Sequence, residues 1–139
     1  MKIIKILFIL AIAGAIGGYV YYKISGKEND PTKAKDSVVI SANSLFKLFN
    51  EYEDSANNLY LNKVIDMRGE IAVIEKNENR YSIFINSNNS AGNVSCEMDT
   101  IQNHLLQKLK EKDIVNIKGY CIGKLIDVEL NKCRLIENK

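Results

Sequence analysis

Three cysteines, Cys96, Cys121 and Cys133, and one histidine, His104, are the side chains in this 139-residue chain best suited to nucleophilic or soft-metal chemistry. A catalytic thiol needs a base and a group that orients the base. His104 stands beside Leu105 in a helical stretch and reads as a surface or barrel-cap residue. A zinc site needs a closed ligand set; three cysteines without C-x-x-C spacing and one histidine do not make one. The chain has no G-x-S-x-G, no glycine-rich phosphate loop and no H-E-x-x-H. Its carboxylates are scattered along alternating strand positions. Asp127, at the start of a strand beside a glycine-containing loop, reads as a turn or strand-start acceptor. The expectation is a protein that is not an enzyme and holds neither metal nor cofactor, which leaves binding as its chemistry. The odd cysteine count leaves at least one thiol unpaired, and all three are also plausible as small buried apolar groups.

The elements that would position a binding surface follow from periodicity. Ser41 or Ser44 can cap a helix. Leu45, Leu48, Phe49, Tyr52, Ala56 and Leu59 then fall on one stripe of an amphipathic helix, read as core packing. From Lys63 the period becomes two: Ile65, Met67, Gly69, Ile71 and Val73 alternate with Asp66, Arg68, Glu70 and Ala72, which predicts a half-buried strand with a bend or bulge at Gly69. Arg80 to Asn86 and Val94 to Met98 predict a second and third strand. Asp99 or Thr100 can cap a second helix running to about Lys110, and Lys108, Lys110 and Lys112 suit its negative end. Ile114 to Cys121 and Asp127 to Ile136 predict two more strands. In the last, Val128 and Leu130 share one phase and Cys133 and Leu135 the other, which calls for a bulge near Asn131.

Helix, three strands, helix, two strands is the order of a mainly β fold: a five-stranded OB-fold barrel with a helix between strands 3 and 4 and an extra amphipathic helix in front. Closure into a barrel removes the exposed edges that a flat sheet would leave. OB barrels commonly bind across the face of strands two and three, and the outward positions expected on that face are Arg68, Glu70, Ser82, Phe84, Asn86, Ser95 and Glu97, the candidate ligand-binding residues. One aromatic among mixed charges is a poor platform for stacked bases, since single-strand binders combine a basic groove with several aromatics. A protein or envelope partner is therefore preferred. A single-stranded nucleic-acid ligand is the alternative.

The composition, 46% hydrophobic and 26% charged, is globular rather than disordered. The net charge of +2 hides an asymmetry. Setting aside Lys2, Lys5 and Lys23 leaves 16 basic against 17 acidic residues, a net of −1 for residues 24–139, so no polycationic field exists there for nucleic acid. Residues 3–22 form an apolar run of about twenty residues, reaching about 30 Å as a helix, with tyrosines at its far end. Three domains are expected: a signal-anchor membrane helix over 1–23, a polar linker over 24–40 and the barrel with its leading helix over 41–139. Lys2 and Lys5 would keep the N-terminus in the cytoplasm and place a single-pass protein in the inner membrane, with its C-terminal domain periplasmic or extracellular. A cleaved signal peptide ending near Ala13-Gly14-Ala15 and a buried core helix are the competing readings. The G-x-x-x-G spacing of Gly14 and Gly18 could let two membrane helices approach; the oligomeric state stays open.

The stretch from about Ser41 to the C-terminus resembles the tRNA_anti-like family of bacterial OB-fold proteins. The resemblance is carried by Asn62-Lys63-Val64-Ile65 leading into Arg68-Gly69-Glu70-Ile71. More specific is Gly119-Tyr120-Cys121-Ile122-Gly123 followed by Asp127-Val128-Glu129-Leu130-Asn131-Lys132-Cys133. The resemblance implies an OB-fold with membrane-anchored or lipoprotein-like relatives and no established activity. The chain has no cysteine before Cys96, so a lipid-modified N-terminus is disfavoured against a membrane helix. Cys121 and Cys133 both belong to the family-like pattern. In an oxidising compartment they are expected to form a disulfide, with pairing through Cys96 or three reduced thiols as the alternatives.

Overall fold

The computed structural model describes residues 14–19 and 30–136, and residues 14–19 are helical. Apart from those six residues, the expected membrane helix over 1–23 lies outside the described residues. Among the described residues no helix is long and apolar enough to cross a membrane.

The chain from Asp30 packs on the barrel, although it falls within the stretch read as linker. The Asp30 carboxylate accepts from the Thr32 amide at 2.9 Å and caps a 3-10 turn, Pro31–Lys33, whose proline is buried. Strand β1, Val38–Val39, then pairs parallel with Ile65 and Asp66.

Helix α1, Ala42–Glu51, is capped as expected by Ser41, whose hydroxyl accepts from the Ser44 amide at 3.1 Å. The single stripe expected through Leu59 is broken. Tyr52 takes φ −141°, ψ 58°, and a separate helix α2 runs Glu53–Tyr60. Glu53 and Asp54 in its first turn suit the positive end of the new helix. The break changes which residues face in: Leu45, Phe46, Phe49 and Ala56 are buried, whereas Tyr52 and Leu59 face solvent.

The remaining elements are β2 (Val64–Asn77), β3 (Arg80–Asn89), β4 (Gly92–Met98), a 3-10 turn (Thr100–Gln102), helix α3 (Asn103–Leu106), β5 (Ile114–Lys124) and β6 (Val128–Leu135). The second helix is one turn long instead of reaching Lys110. Asp99 caps the 3-10 turn that leads into it, accepting from the Ile101 amide at 3.1 Å, while the helix itself follows Gln102 without a side-chain cap. The segment expected to continue the helix instead turns back. The Lys110 amide donates to the Asp113 carboxylate at 2.8 Å, and Lys112 takes φ 73°.

The sheet order is β1-β2-β3-β4-β6-β5, and β2 also pairs with β5, so β2 to β6 close into a five-stranded barrel. The long strand β2 makes closure possible by changing partners. Val64–Glu70 pairs with β5, Ile71–Asn77 pairs with β3, and the register shifts between Ile71 and Val73. The extra residue switches the inward phase from Ile65, Met67 and Ile71 to Ile74. Gly69 lies two residues before that bulge. A Cβ there would sit 2.3 Å from the Ile85 methyl Cγ2, so the glycine admits Ile85 to the core.

The phase change expected near Asn131 is present: Asn131 opposes Tyr120, Arg134 opposes Lys118, and Lys132 between them has φ 49°. Val128, Leu130 and Cys133 are all buried as a result.

The expected Cys121–Cys133 disulfide is not formed; Cys96, Cys121 and Cys133 are free thiols. The register explains this. Cys121 lies opposite Leu130. The Cys133 sulfur lies over Gly119, 2.3 Å from where a Cβ of that residue would be, and next to Cys96 on β4. Burial pushes the Cys121 and Cys133 thiols above their ordinary value, Cys133 strongly so and further through its contact with Cys96. Such thiols are packing groups rather than nucleophiles.

Candidate binding surface

Register and burial define the outer surface. Tyr81, Ile83 and Ile85 of β3 point inward, so Ser82, Phe84 and Asn86 alternate outward, half-buried. On β4, Val94, Cys96 and Met98 point inward, and Ser95 and Glu97 alternate outward. Cross-strand pairing sets two outward rows. Glu75, Ser82 and Glu97 form one; Val73, Phe84, Ser95 and Glu129 form the other.

All seven candidate residues are therefore on the outside of the barrel, but in two groups. Ser82, Phe84, Ser95 and Glu97 share the β3–β4 face. Arg68 and Glu70 are on the part of β2 that pairs with β5 and share a small cavity of about 190 Å³ with Asn86, Ser41 and Asn43. The strong curvature of β2 separates the groups. Asn86 also has a local duty, its side-chain oxygen accepting from the Asn88 amide at 2.8 Å in the turn that follows.

The electrostatics of the face are set by carboxylates. Phe84 stands alone among Glu75, Glu97 and Glu129 on the two rows. Arg80, at the start of β3, reaches Glu97 at 3.5 Å, an exposed pair that partly offsets one of them. Beyond the end of the rows, Arg80, Glu97, Asp99, Lys132 and Arg134 line a cavity of about 420 Å³. Its arginines are already engaged. Arg134 contacts Asp30 at 2.6 Å and Asp99 at 2.7 Å through its two terminal nitrogens, and its Nε donates to Asp99 at 2.9 Å. All three side chains in that cluster are largely buried. The Thr32 hydroxyl and amide, with Arg134 and Lys33, hold the Asp30 carboxyl below its ordinary range against the opposing effect of burial.

The Asp30–Arg134–Asp99 cluster was not legible in the sequence, since its members lie on segments far apart in the chain. Asp127 is an acceptor at the start of its strand, as expected, but its donor comes from a distant part of the chain. Its carboxylate accepts from the Asn93 amide at 2.6 Å and ties the β5–β6 hairpin to the start of β4. His104 is exposed. Among the described residues no three histidine, cysteine, aspartate or glutamate side chains are grouped to hold a metal ion.

A mainly β chain closed through a curved first strand, with a helical turn between its third and fourth barrel strands, is an OB-fold. The chain is similar to the crystal structure of a candidate nucleic acid-binding lipoprotein from Klebsiella pneumoniae, with TM-score 0.59 and 13% identity over 71% of this chain and 92% of the other. It also matches a candidate aspartyl-tRNA synthetase from Leishmania major, with TM-score 0.49 and 11% identity over 78% of this chain and 22% of the synthetase. Asparaginyl-tRNA synthetase from Pyrococcus horikoshii matches with TM-score 0.42 and 15% identity over 57% of this chain and 21% of the other. The fold likeness rests on the first of these. No curated protein matches the chain. The chain belongs to the tRNA_anti-like family, whose model matches residues 1–135.

Proposed function

We propose that this chain is a membrane-anchored, extracytoplasmic OB-fold binding module whose ligand is a protein or an envelope component. Residues 1–23 are its anchor in the inner membrane. The ligand is taken on the outer β3–β4 face through Ser82, Phe84, Ser95 and Glu97, with Arg68, Glu70 and Asn86 at the flank. No catalytic role is assigned to any residue.

The observation that carries this reading is the composition of the face: one aromatic ring bordered by Glu75, Glu97 and Glu129. A phosphate backbone brought along these rows meets like charge, and only Phe84 offers a ring for stacking. The arginines nearby already neutralise carboxylates of the chain itself.

Three measurements test the proposal. Crosslinking in intact cells through a photoreactive group at Phe84, with mass spectrometry of the captured material, is expected to yield a protein or envelope component. Titration with fluorescent single-stranded oligonucleotides at low salt is expected to show no binding. Salt-dependent oligonucleotide binding that Phe84→Ala abolishes would replace the proposal with the nucleic-acid reading, which the lipoprotein neighbour's description favours. Protease added to spheroplasts is expected to digest the barrel; protection until lysis would refute the proposed location.

A further inference from the structure

The hairpin joining β5 to β6 departs from the chemistry of the other turns in this chain. The β2–β3 connection is made around Glu78 and Asn79, and the β3–β4 connection around Ser90 and Ala91 between Asn89 and Gly92, residues suited to tight turns. The β5–β6 connection instead presents two consecutive aliphatic residues, Leu125 and Ile126, which are 79% and 78% exposed. Neither contributes to the core. Between this tip and α2 lies a groove of about 470 Å³ with Leu61, Ile122 and Leu125 as its apolar walls, and Glu53, Asn57 and Glu129 among its polar lining. Its backbone is shaped by Gly123, whose φ of 117° is strained for any other residue and which lies beside Leu61 and Asn57.

The charges around the groove select its occupant. Glu53 and Glu129 line it, and Glu51 and Asp54 flank Glu53 in the chain on exposed positions. Lys124, the lining cation, has its ammonium 5.6 Å from the centre of the Phe46 ring, folded onto the barrel end. An anionic lipid surface would be repelled by the glutamates. A second copy of the chain seated symmetrically would set glutamate against glutamate. What the groove complements is an aliphatic segment flanked by lysine or arginine.

Placement agrees with this. Asp30, which caps the Pro31–Lys33 turn, is tied to Arg134 near the end of β6, whereas Ile126 precedes the start of that strand. Eight residues of strand separate the two by roughly 25 Å. The tip is thus remote from the Asp30–Pro31 segment that packs on the barrel ahead of β1.

We infer that the groove between α2 and the Leu125–Ile126 hairpin tip docks a basic, aliphatic polypeptide segment of a partner protein. This deepens the reading of the chain as a protein-binding module. It assigns a second surface, between the helix that precedes the barrel and the hairpin tip, which meets the row of the β3–β4 face only at Glu129.

The test uses the full-length chain with methyl-labelled Leu and Ile and three probes: a twelve-residue peptide of alternating lysine and leucine, its glutamate–leucine counterpart, and vesicles of phosphatidylglycerol and phosphatidylcholine. The lysine–leucine peptide is expected to shift the methyls of Leu61, Ile122, Leu125 and Ile126. Leu125→Ser with Ile126→Ser is expected to weaken it at least tenfold at unchanged Tm, and Glu53→Lys to weaken it without touching the apolar wall. Phe84→Ala is expected to leave it intact, so this groove and the sheet face can fail separately. Equal binding of the glutamate–leucine peptide would overturn the inference. So would shifts centred on Phe84, no shifts at millimolar peptide, or vesicle binding that the double serine variant removes.

Discussion

Adding a single methyl group at Gly119 tests the packing account of the barrel most sharply. The Cβ of Gly119→Ala would lie 2.3 Å from the Cys133 sulfur, 3.2 Å from the Asn131 carbonyl oxygen and 3.3 Å from the Leu130 Cβ. The first distance is far inside any contact that real Cβ atoms make. The sulfur has nowhere to retreat, because Cys133 is fully buried on the bulged part of β6. Overpacking a filled core costs about 2–3 kcal/mol, which for a domain of about 100 residues lowers Tm by about 10–20 °C. Cys133→Ala removes the obstructing atom and by itself costs about 1–2 kcal/mol for the lost contacts. The double variant is then expected to be little less stable than Cys133→Ala alone, a coupling of at least about 1 kcal/mol. The tight contacts to Asn131 and Leu130 yield by a few tenths of an ångström. The assay is urea and thermal unfolding of the four proteins by circular dichroism. A Gly119→Ala variant as stable as the parent would refute the reasoning, as would costs that add to within about 0.5 kcal/mol.

Other perturbations probe the electrostatics. Arg134→Ala leaves the Asp30 and Asp99 carboxylates facing each other without their shared cation; it is expected to cost about 2–4 kcal/mol in urea unfolding, and a loss below 0.5 kcal/mol would show that the cluster contributes little. Asp30 titrates below its ordinary 3.8, so its stabilisation is present above that value and is lost as pH falls through the lower folded value. Asp30→Asn should flatten the acid limb of the stability profile below about pH 4, and an unchanged limb would exclude this role. The buried thiols act in the opposite direction. Their folded values lie above the ordinary 9.0, so the unfolded chain releases these protons first and stability falls as pH rises beyond about 9. At pH 8 the native protein should react slowly with a thiol reagent and the urea-unfolded chain should yield three equivalents; rapid native labelling at Cys133 would contradict its placement.

The parts of this structure that were legible in the sequence are those governed by period. Alternation placed Tyr81, Ile83 and Ile85 inside and Ser82, Phe84 and Asn86 outside without knowledge of the partners of β3. The clash of phases between Val128/Leu130 and Cys133/Leu135 marked the β6 bulge before any pairing was known. Failures came where a local signal competed with tertiary geometry. The apolar stripe from Leu45 to Leu59 continues through Tyr52, yet the backbone breaks there, so a pattern that fits one helix became two helices separated at Tyr52. The second helix, expected to reach Lys110, stops at Leu106; the Lys108 and Leu109 amides then donate to the Leu105 and Leu106 carbonyls, and the Lys110 amide donates to the Asp113 carboxylate.

The cysteine pairing shows why spacing along a chain is a weak guide to contact across a barrel. Cys121 and Cys133 bracket one hairpin, which makes them neighbours in topology. The register shifts between Lys118/Tyr120 and Cys121/Gly123 place Leu130 opposite Cys121, and Gly119 receives the Cys133 sulfur. Glycine and cysteine in the motif Gly119-Tyr120-Cys121 … Cys133 thus form a small–large packing pair across β5 and β6, a steric relation that needs no oxidation. The same logic separates the candidate surfaces. Residues that alternate along β3 and β4 were identifiable because one face must be wet. The groove at Leu125 and Ile126 required knowing that α2 lies beside the hairpin, which no period along the chain encodes. If the methyl shifts from the lysine–leucine peptide fall on that groove and spare Phe84, the helices preceding the barrel are recognition elements as well as a cap on its core.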